Sequence, residues 1–212
     1  MKWPDDFINK VICGDCREIL PLIPDGGVDA VITDPPYGVG LEYEEYVDSQ
    51  QTLKDLINDV VPLCQIVAKN TVLTCGVINQ WLYPQPRWVM CWSYAPATNQ
   101  SGFWGFNQWQ PILCYGQDQY LAKGLGRRGD VIQDSLPPER NHTHPCPKPL
   151  TFMRKLIHRV STSPDDIILD PFAGSGTTLV AAKQLGRRYI GIEISQKYVD
   201  ICNERLKQEI LL

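Results

Sequence analysis

Long apolar runs are missing from this 212-residue sequence. Its hydrophobic stretches are strand-sized, well short of the roughly 20 residues a membrane-spanning helix needs, so no membrane partner is expected. The opening Met1-Lys2-Trp3-Pro4-Asp5-Asp6 lacks the uninterrupted apolar region of a secretory leader. A cytoplasmic location, prokaryotic or phage-encoded, is therefore expected, with the eight cysteines as reduced thiols. Repeats and low-complexity tracts are absent, and the length suits a single domain over residues 1–212. An excess of positive charge is also missing. The net charge is −4, which argues weakly against a nucleic-acid partner.

That charge is unevenly spread. Residues 120–160 carry +5 and the rest of the chain −9. Lys123, Arg127, Arg128 and Arg140 fall in this basic stretch and are the candidate DNA contacts, since a basic segment on an acidic body is the footprint of phosphate binding. A solvated loop and helix face would give the same local charge.

What the chain does contain is a regular alternation of elements. Residues 10–13, 28–33, 71–75, 87–92, 110–115, 167–169 and 189–192 read as buried strands, the fourth and fifth of these as a late pair. Residues 17–23, 49–69, 150–160, 178–185 and 196 onward read as helices, with Pro62 kinking the second. Alternation of this kind predicts an α/β fold on a mostly parallel, doubly wound sheet, interrupted by a short basic insertion over 117–141.

Two strand ends stand out. The strand at 28–33 runs into Asp34-Pro35-Pro36-Tyr37, where consecutive prolines stop the sheet ladder and leave a carboxylate, carbonyls and an aromatic ring. Such acceptors beside a flat ring suit a planar, amino-bearing group such as a nucleobase. The four residues alone read better as a turn after a core strand. The strand at 167–169 runs into Asp170-Pro171-Phe172-Ala173-Gly174-Ser175-Gly176-Thr177-Thr178, a glycine turn opening a helix. No Lys follows its glycines, which excludes a phosphate-binding P-loop, and the spacing does not match a dinucleotide fingerprint. An acid opens the turn, and a second acid, Glu193, ends the next strand, where ribose hydroxyls are bound in doubly wound sheets. Asp170 with Glu193 therefore indicates a cationic, unphosphorylated nucleoside: S-adenosyl-L-methionine.

These segments resemble a known family. Asp34-Pro-Pro-Tyr37 is similar to the catalytic motif of amino-group (N6-adenine/N4-cytosine) DNA methyltransferases, and residues 170–178 to their cofactor motif. His144-Pro145-Cys146-Pro147-Lys148-Pro149-Leu150 resembles the H-P-x-x-K-P segment preceding that motif. The catalytic motif comes first, which is the circularly permuted order of the β group. The resemblance implies the class I S-adenosylmethionine-dependent methyltransferase fold, with seven strands, one of them antiparallel.

It also implies roles. Asp34 and the Pro35 carbonyl would accept hydrogen bonds from the exocyclic amine of a flipped base, and Tyr37 would stack on that base. Residues 172–178 would hold the methionine end and Glu193 the ribose. Asp15, at the end of the strand neighbouring the catalytic one, would bond the adenine amino group. His144, Lys148 and Pro149 would line the methionine carboxylate, with Lys148 as its counter-charge. The aspartate at the first motif position favours DNA adenine-N6 methylation over cytosine-N4. An inactive cofactor- or DNA-binding module is the remaining alternative.

No metal site is expected. Cys13-x-x-Cys16 has pair spacing and His142, His144 and Cys146 lie together, but no second C-x-x-C exists. Trp88, Trp92, Trp104 and Trp109 suit either base stacking or core packing. Larger members of the family carry a long target-recognition region where this chain has only 117–141. Readout of DNA is therefore expected to be short, to use the 41–48 loop, or to draw on a second subunit. A homodimer and a partner restriction endonuclease stay open as partners.

Overall fold

The computed structural model of the chain describes residues 1–40, 46–94, 101–102, 104–134 and 148–208. The main sheet is assembled from β1 (Lys10–Cys13), β2 (Val28–Thr33), β3 (Ala68–Thr74), β4 (Trp88–Tyr94), β7 (Trp109–Gly116), β8 (Val131–Asp134), β9 (Ile167–Asp170) and β10 (Arg188–Glu193). The two-residue strands β5 (Ser101–Gly102) and β6 (Gly105–Phe106) pair separately between β4 and β7. The strand order is β1-β10-β9-β2-β3-β7-β4-β8, and β7 alone runs antiparallel to its neighbours β3 and β4. The doubly wound, mostly parallel sheet is thus as the sequence predicts. The added strand is β8, a four-residue segment pairing parallel with β4 at the sheet edge. Only Ile132 and Asp134 of β8 are buried, so it shows no continuous apolar run to announce it.

Helices cover both faces, as burial of a parallel sheet requires. On one side α4 (Leu150–Val160) and α5 (Thr177–Gln184) bury Phe152, Met153, Leu156, Ile157, Ala181 and Ala182 against Ala30, Ile32, Val72, Met90, Trp92 and Ile168. Trp92 stacks on Phe152 with centroids 4.1 Å apart, so this tryptophan belongs to the core. Behind α5, α6 (Gln196–Lys207) packs Cys202 and Leu206 on Ala173 and Leu179. The opposite face is covered by α1 (Cys16–Ile19), a 3₁₀ turn over Leu20–Leu22, and α2 (Gln50–Val67). Ser49 caps α2 through a reciprocal box with Thr52, and the helix turns Leu53, Ile57, Val60, Val61 and Cys64 inward. Pro62 lies inside α2 on its exposed side, where solvent can take the carbonyl that loses its partner. No helix of the described residues is long and apolar enough to cross a membrane.

Two placements correct the sequence reading. First, β1 does not neighbour the catalytic strand. It forms the sheet edge beside β10, so β10 and β9 separate Asp15 from β2. Second, residues 117–130, the described start of the basic segment after β7, sit at the far end of the sheet. Because β7 is antiparallel, Gly116 ends beside Asn70 at the amino ends of the parallel strands. The chain then forms the short helix α3 (Gln119–Ala122) and returns into β8 from that same end.

Candidate active site

Both motifs emerge at the carboxyl ends of adjacent strands. β2 and β9 pair with Val31 opposite Leu169, which brings Thr33-Asp34 alongside Asp170. The Thr33 hydroxyl donates to Asp170 Oδ1 at 2.6 Å and ties the two motifs directly. Asp170 also accepts the Phe172 amide at 3.0 Å. Burial pushes the Asp170 carboxyl up to about 6, against the pull of these hydrogen bonds.

Asp34 is surrounded by donors. Its Oδ1 accepts the Tyr37 hydroxyl at 2.7 Å and the Thr74 hydroxyl from the end of β3. Its Oδ2 accepts Lys148 Nζ at 2.6 Å, and the same ammonium donates to the Tyr37 hydroxyl at 2.7 Å. Lys148 is only 7% exposed, so its charge is committed to this cluster. Its ammonium therefore sits on the acceptor that the sequence reading assigns to a substrate amine. Burial, and then the Asp34 charge, hold the Tyr37 phenol well above its usual range, so it stays a neutral donor. Gln110 Oε1, on β7, lies 3.3 Å from the same hydroxyl.

The turn after Tyr37 is clamped on both sides. Asp48, 6% exposed, accepts the Gly38 amide at 2.6 Å and the Val39 amide at 3.0 Å. Asn79 donates to the Tyr37 carbonyl at 2.6 Å and accepts from Gln50. Gly38 has φ of +67°, and a Cβ there would lie 3.1 Å from both Leu53 and the Ser49 carbonyl, so glycine is required. Pro35 is buried and Pro36 half-buried beside this turn.

The cofactor motif is equally fixed. Glu193 Oε2 accepts the Gly174 amide at 2.8 Å, and its Oε1 accepts the Ser195 amide at 3.0 Å. Gly176, at φ +84°, caps α5 from the left-handed region. Arg205 of α6 reaches back to the Ser175 carbonyl at 2.6 Å, and to the hydroxyls of Ser175 at 2.9 Å and Thr177 at 3.3 Å. Ala173, Thr177 and Thr178 are buried, and Phe172 packs with Leu169 and Ile192. Pro171 and Pro149 are also buried, the latter opening α4. Asp15 caps α1 and is held by Arg17, whose guanidinium hydrogen bonds keep its carboxyl below the usual range. Gly14 donates to the Glu193 carbonyl at 2.9 Å, so Asp15 stands next to the Glu193 strand end instead of Asp34. The set of acids at strand ends around a glycine turn fits a cationic nucleoside, and the turn carries no basic side chain of its own for a phosphate.

Of the candidate DNA contacts, Lys123, Arg127 and Arg128 are not brought to this site. Lys123 donates to Thr162, and Arg128 to the His158 carbonyl at 2.9 Å and the Arg159 carbonyl, all at the carboxyl end of α4 and opposite the motifs. Arg128 also lies 3.7 Å over the Tyr120 ring. It anchors the segment, and the exposed Arg127 shares that end of the sheet. Arg140, His142, His144, Cys146, residues 41–45 of the 41–48 loop and residues 135–141 of the 117–141 insertion lie outside the described residues. Among the described residues no cluster of three His, Cys, Asp or Glu side chains could hold a metal ion. Thr33, Thr74, Asp48, Asn79 and Gln110 were not singled out by sequence, because nothing local marks a polar residue as facing a site built from four strands.

A family model described as DNA methylase matches residues 98–204. The chain belongs to the N6-adenine/N4-cytosine DNA methylase family. The putative methylase YubD of Escherichia coli (strain K12) is 30% identical over 94% of this chain and 90% of its own length. The type II methyltransferase M.HinfI of Haemophilus influenzae is 27% identical, covering 96% of this chain and 70% of that protein. DNA adenine methyltransferase YhdJ of Escherichia coli (strain K12) is also 27% identical, over 96% and 85%. The fold matches PvuII DNA methyltransferase (cytosine-N4-specific) at a TM-score of 0.71 and 17% identity, over 95% of this chain and 87% of that one. It matches the M1.HpyAVI–SAM complex at 0.63 and 23% identity, over 94% and 99%. The methylase thus has the class I methyltransferase architecture.

Proposed function

We infer that this methylase transfers a methyl group to the exocyclic N6 amine of an adenine flipped out of DNA. The observation that carries the reading is the Thr33–Asp170 hydrogen bond, which sets Asp34-Pro35-Pro36-Tyr37 beside the cofactor motif on one sheet edge. S-adenosylmethionine supplies a methyl group already activated on a sulfonium. The residues of the chain then need only bind, orient and exclude water. Asp170 and Glu193 would hold the cationic and ribose parts, with the glycine turn allowing close backbone approach. Asp34 would accept a hydrogen from the amine, keeping the nitrogen lone pair available for attack. Tyr37, neutral and clamped by Asp48 and Asn79, would offer its ring to the base.

Asp34 already accepts Tyr37 and Thr74 at Oδ1 and Lys148 at Oδ2, and a carboxylate has about four acceptor sites, so Oδ2 can take the amine beside the Lys148 ammonium. Aspartate at the first motif position supports adenine, as does the likeness to a protein named DNA adenine methyltransferase. The fold likeness to a cytosine-N4-specific enzyme keeps N4-methylcytosine as the second reading. Nucleoside analysis of DNA treated with the protein and S-adenosylmethionine decides between them. N6-methyladenine is expected, and it should vanish with Asp34→Ala while cofactor binding persists. N4-methylcytosine without N6-methyladenine would replace the adenine reading.

A further inference from the structure

A base can reach Asp34 only from the carboxyl edge of the sheet, yet Lys123, Arg127 and Arg128 lie at the other edge. The described part of the carboxyl edge presents something different. After β3 the chain makes a 3₁₀ turn, Asn79–Leu82, in place of a crossover helix. Asn79 is buried and donates to the Tyr37 carbonyl. Ile78, which caps this turn, and Trp81 within it are 68% and 83% exposed. Residues three apart eclipse in a 3₁₀ turn, so both side chains project from one side of it. An isolated exposed apolar residue needs no explanation, but an isoleucine–tryptophan pair anchored to the substrate-stacking residue does.

We propose that Ile78 and Trp81 form an apolar wedge that contacts the base stack beside the flipped nucleotide, held in register with the pocket by the Asn79–Tyr37 hydrogen bond. Apolar side chains inserted at base steps compensate for lost stacking, and an indole presents a face on which any base can stack. The proposal rests on the reading of the site as a DNA amine methyltransferase. Both wedge residues are exposed, so their substitution leaves the core intact.

The test uses the modified site located by base sequencing and compares two duplexes, one fully paired and one mismatched opposite the target base. Ile78→Ala with Trp81→Ala should slow single-turnover methylation of the paired duplex roughly ten- to a hundredfold, the effect of losing one or two stacking contacts. On the mismatched duplex, whose target is already unpaired, the variant should stay within about threefold of the unmodified protein. Trp81→Phe should restore most of the paired-duplex rate. Trp88→Ala, at the opposite sheet end, should change neither rate. An unchanged rate on the paired duplex, or equal loss on both duplexes, overturns the wedge while leaving the enzyme reading in place. If the unmodified protein methylates neither duplex, the enzyme reading fails and the wedge falls with it.

Discussion

Lys148 and Asp170 show how a charged side chain takes its meaning from the partner that the fold gives it. The H-P-x-x-K-P resemblance points Lys148 at the carboxylate of the methionine end, whereas its ammonium rests on Asp34 at 2.6 Å and on the Tyr37 hydroxyl at 2.7 Å. Lys148→Ala separates these positions. If Lys148 serves Asp34, turnover falls at least about tenfold, the scale of one lost charge-assisted hydrogen bond, while the dissociation constant of S-adenosylmethionine stays level. If it serves the cofactor, calorimetry will find that constant raised instead. Asp170 has a pH signature. Its carboxyl stands at about 6 in the fold against an ordinary 3.8, so the folded state holds the proton more tightly. The stability that follows is complete below the ordinary value and lost as pH rises through about 6. Relative to the unmodified protein, Asp170→Asn should therefore gain stability from pH 4 to pH 7, by an amount on the order of 3 kcal/mol. Urea unfolding across that range measures the difference. A cation seated beside Asp170 pulls its carboxyl back down, so cofactor binding should release a proton near pH 5 to 6.

At the scale of elements, the glycine turn after β9 depends on a close approach that no local pattern reveals. A Cβ on Gly176 would lie 2.2 Å from Cys202 Sγ, and the backbone there is at φ +84°. Gly176→Ala should destabilise the protein by about 2–3 kcal/mol, combining overpacking with strain in the left-handed region. Adding Cys202→Ala removes the sulfur and leaves the strain, so the double variant should recover part of the loss in denaturant unfolding. The glycine itself was legible as a turn residue, but α6 as the element pressing on it was not. Helices α2 and α4 were legible because their apolar residues repeat at helical spacing, and the 150–160 helix has the bounds expected of it. Strand β8 escaped notice because it alternates over only four residues.

At the scale of the whole molecule, the antiparallel turn of β7 decides which surface can meet DNA. It carries residues 117–130 of the basic segment to the amino ends of the parallel strands, away from Asp34 and Asp170. Lys123→Ala with Arg127→Ala should accordingly leave the methylation rate and its salt dependence unchanged, to within about twofold, since the loss of exposed charges remote from a site is nearly neutral. A clear drop in rate, or a shallower salt slope, would return those residues to the DNA interface.

The residues themselves determined the chemistry of the two strand ends and the α/β class. Motifs are local, and a buried strand followed by Pro-Pro or a glycine turn reads the same in any context. Only the tertiary structure decided what surrounds them. Thr33 meets Asp170, Thr74 and Lys148 meet Asp34, and Asp48 and Asn79 grip the Tyr37 turn, all through contacts between residues up to 137 positions apart. Sheet order and strand direction set those contacts. Charge counted along the chain carries no record of which end of the sheet it will reach.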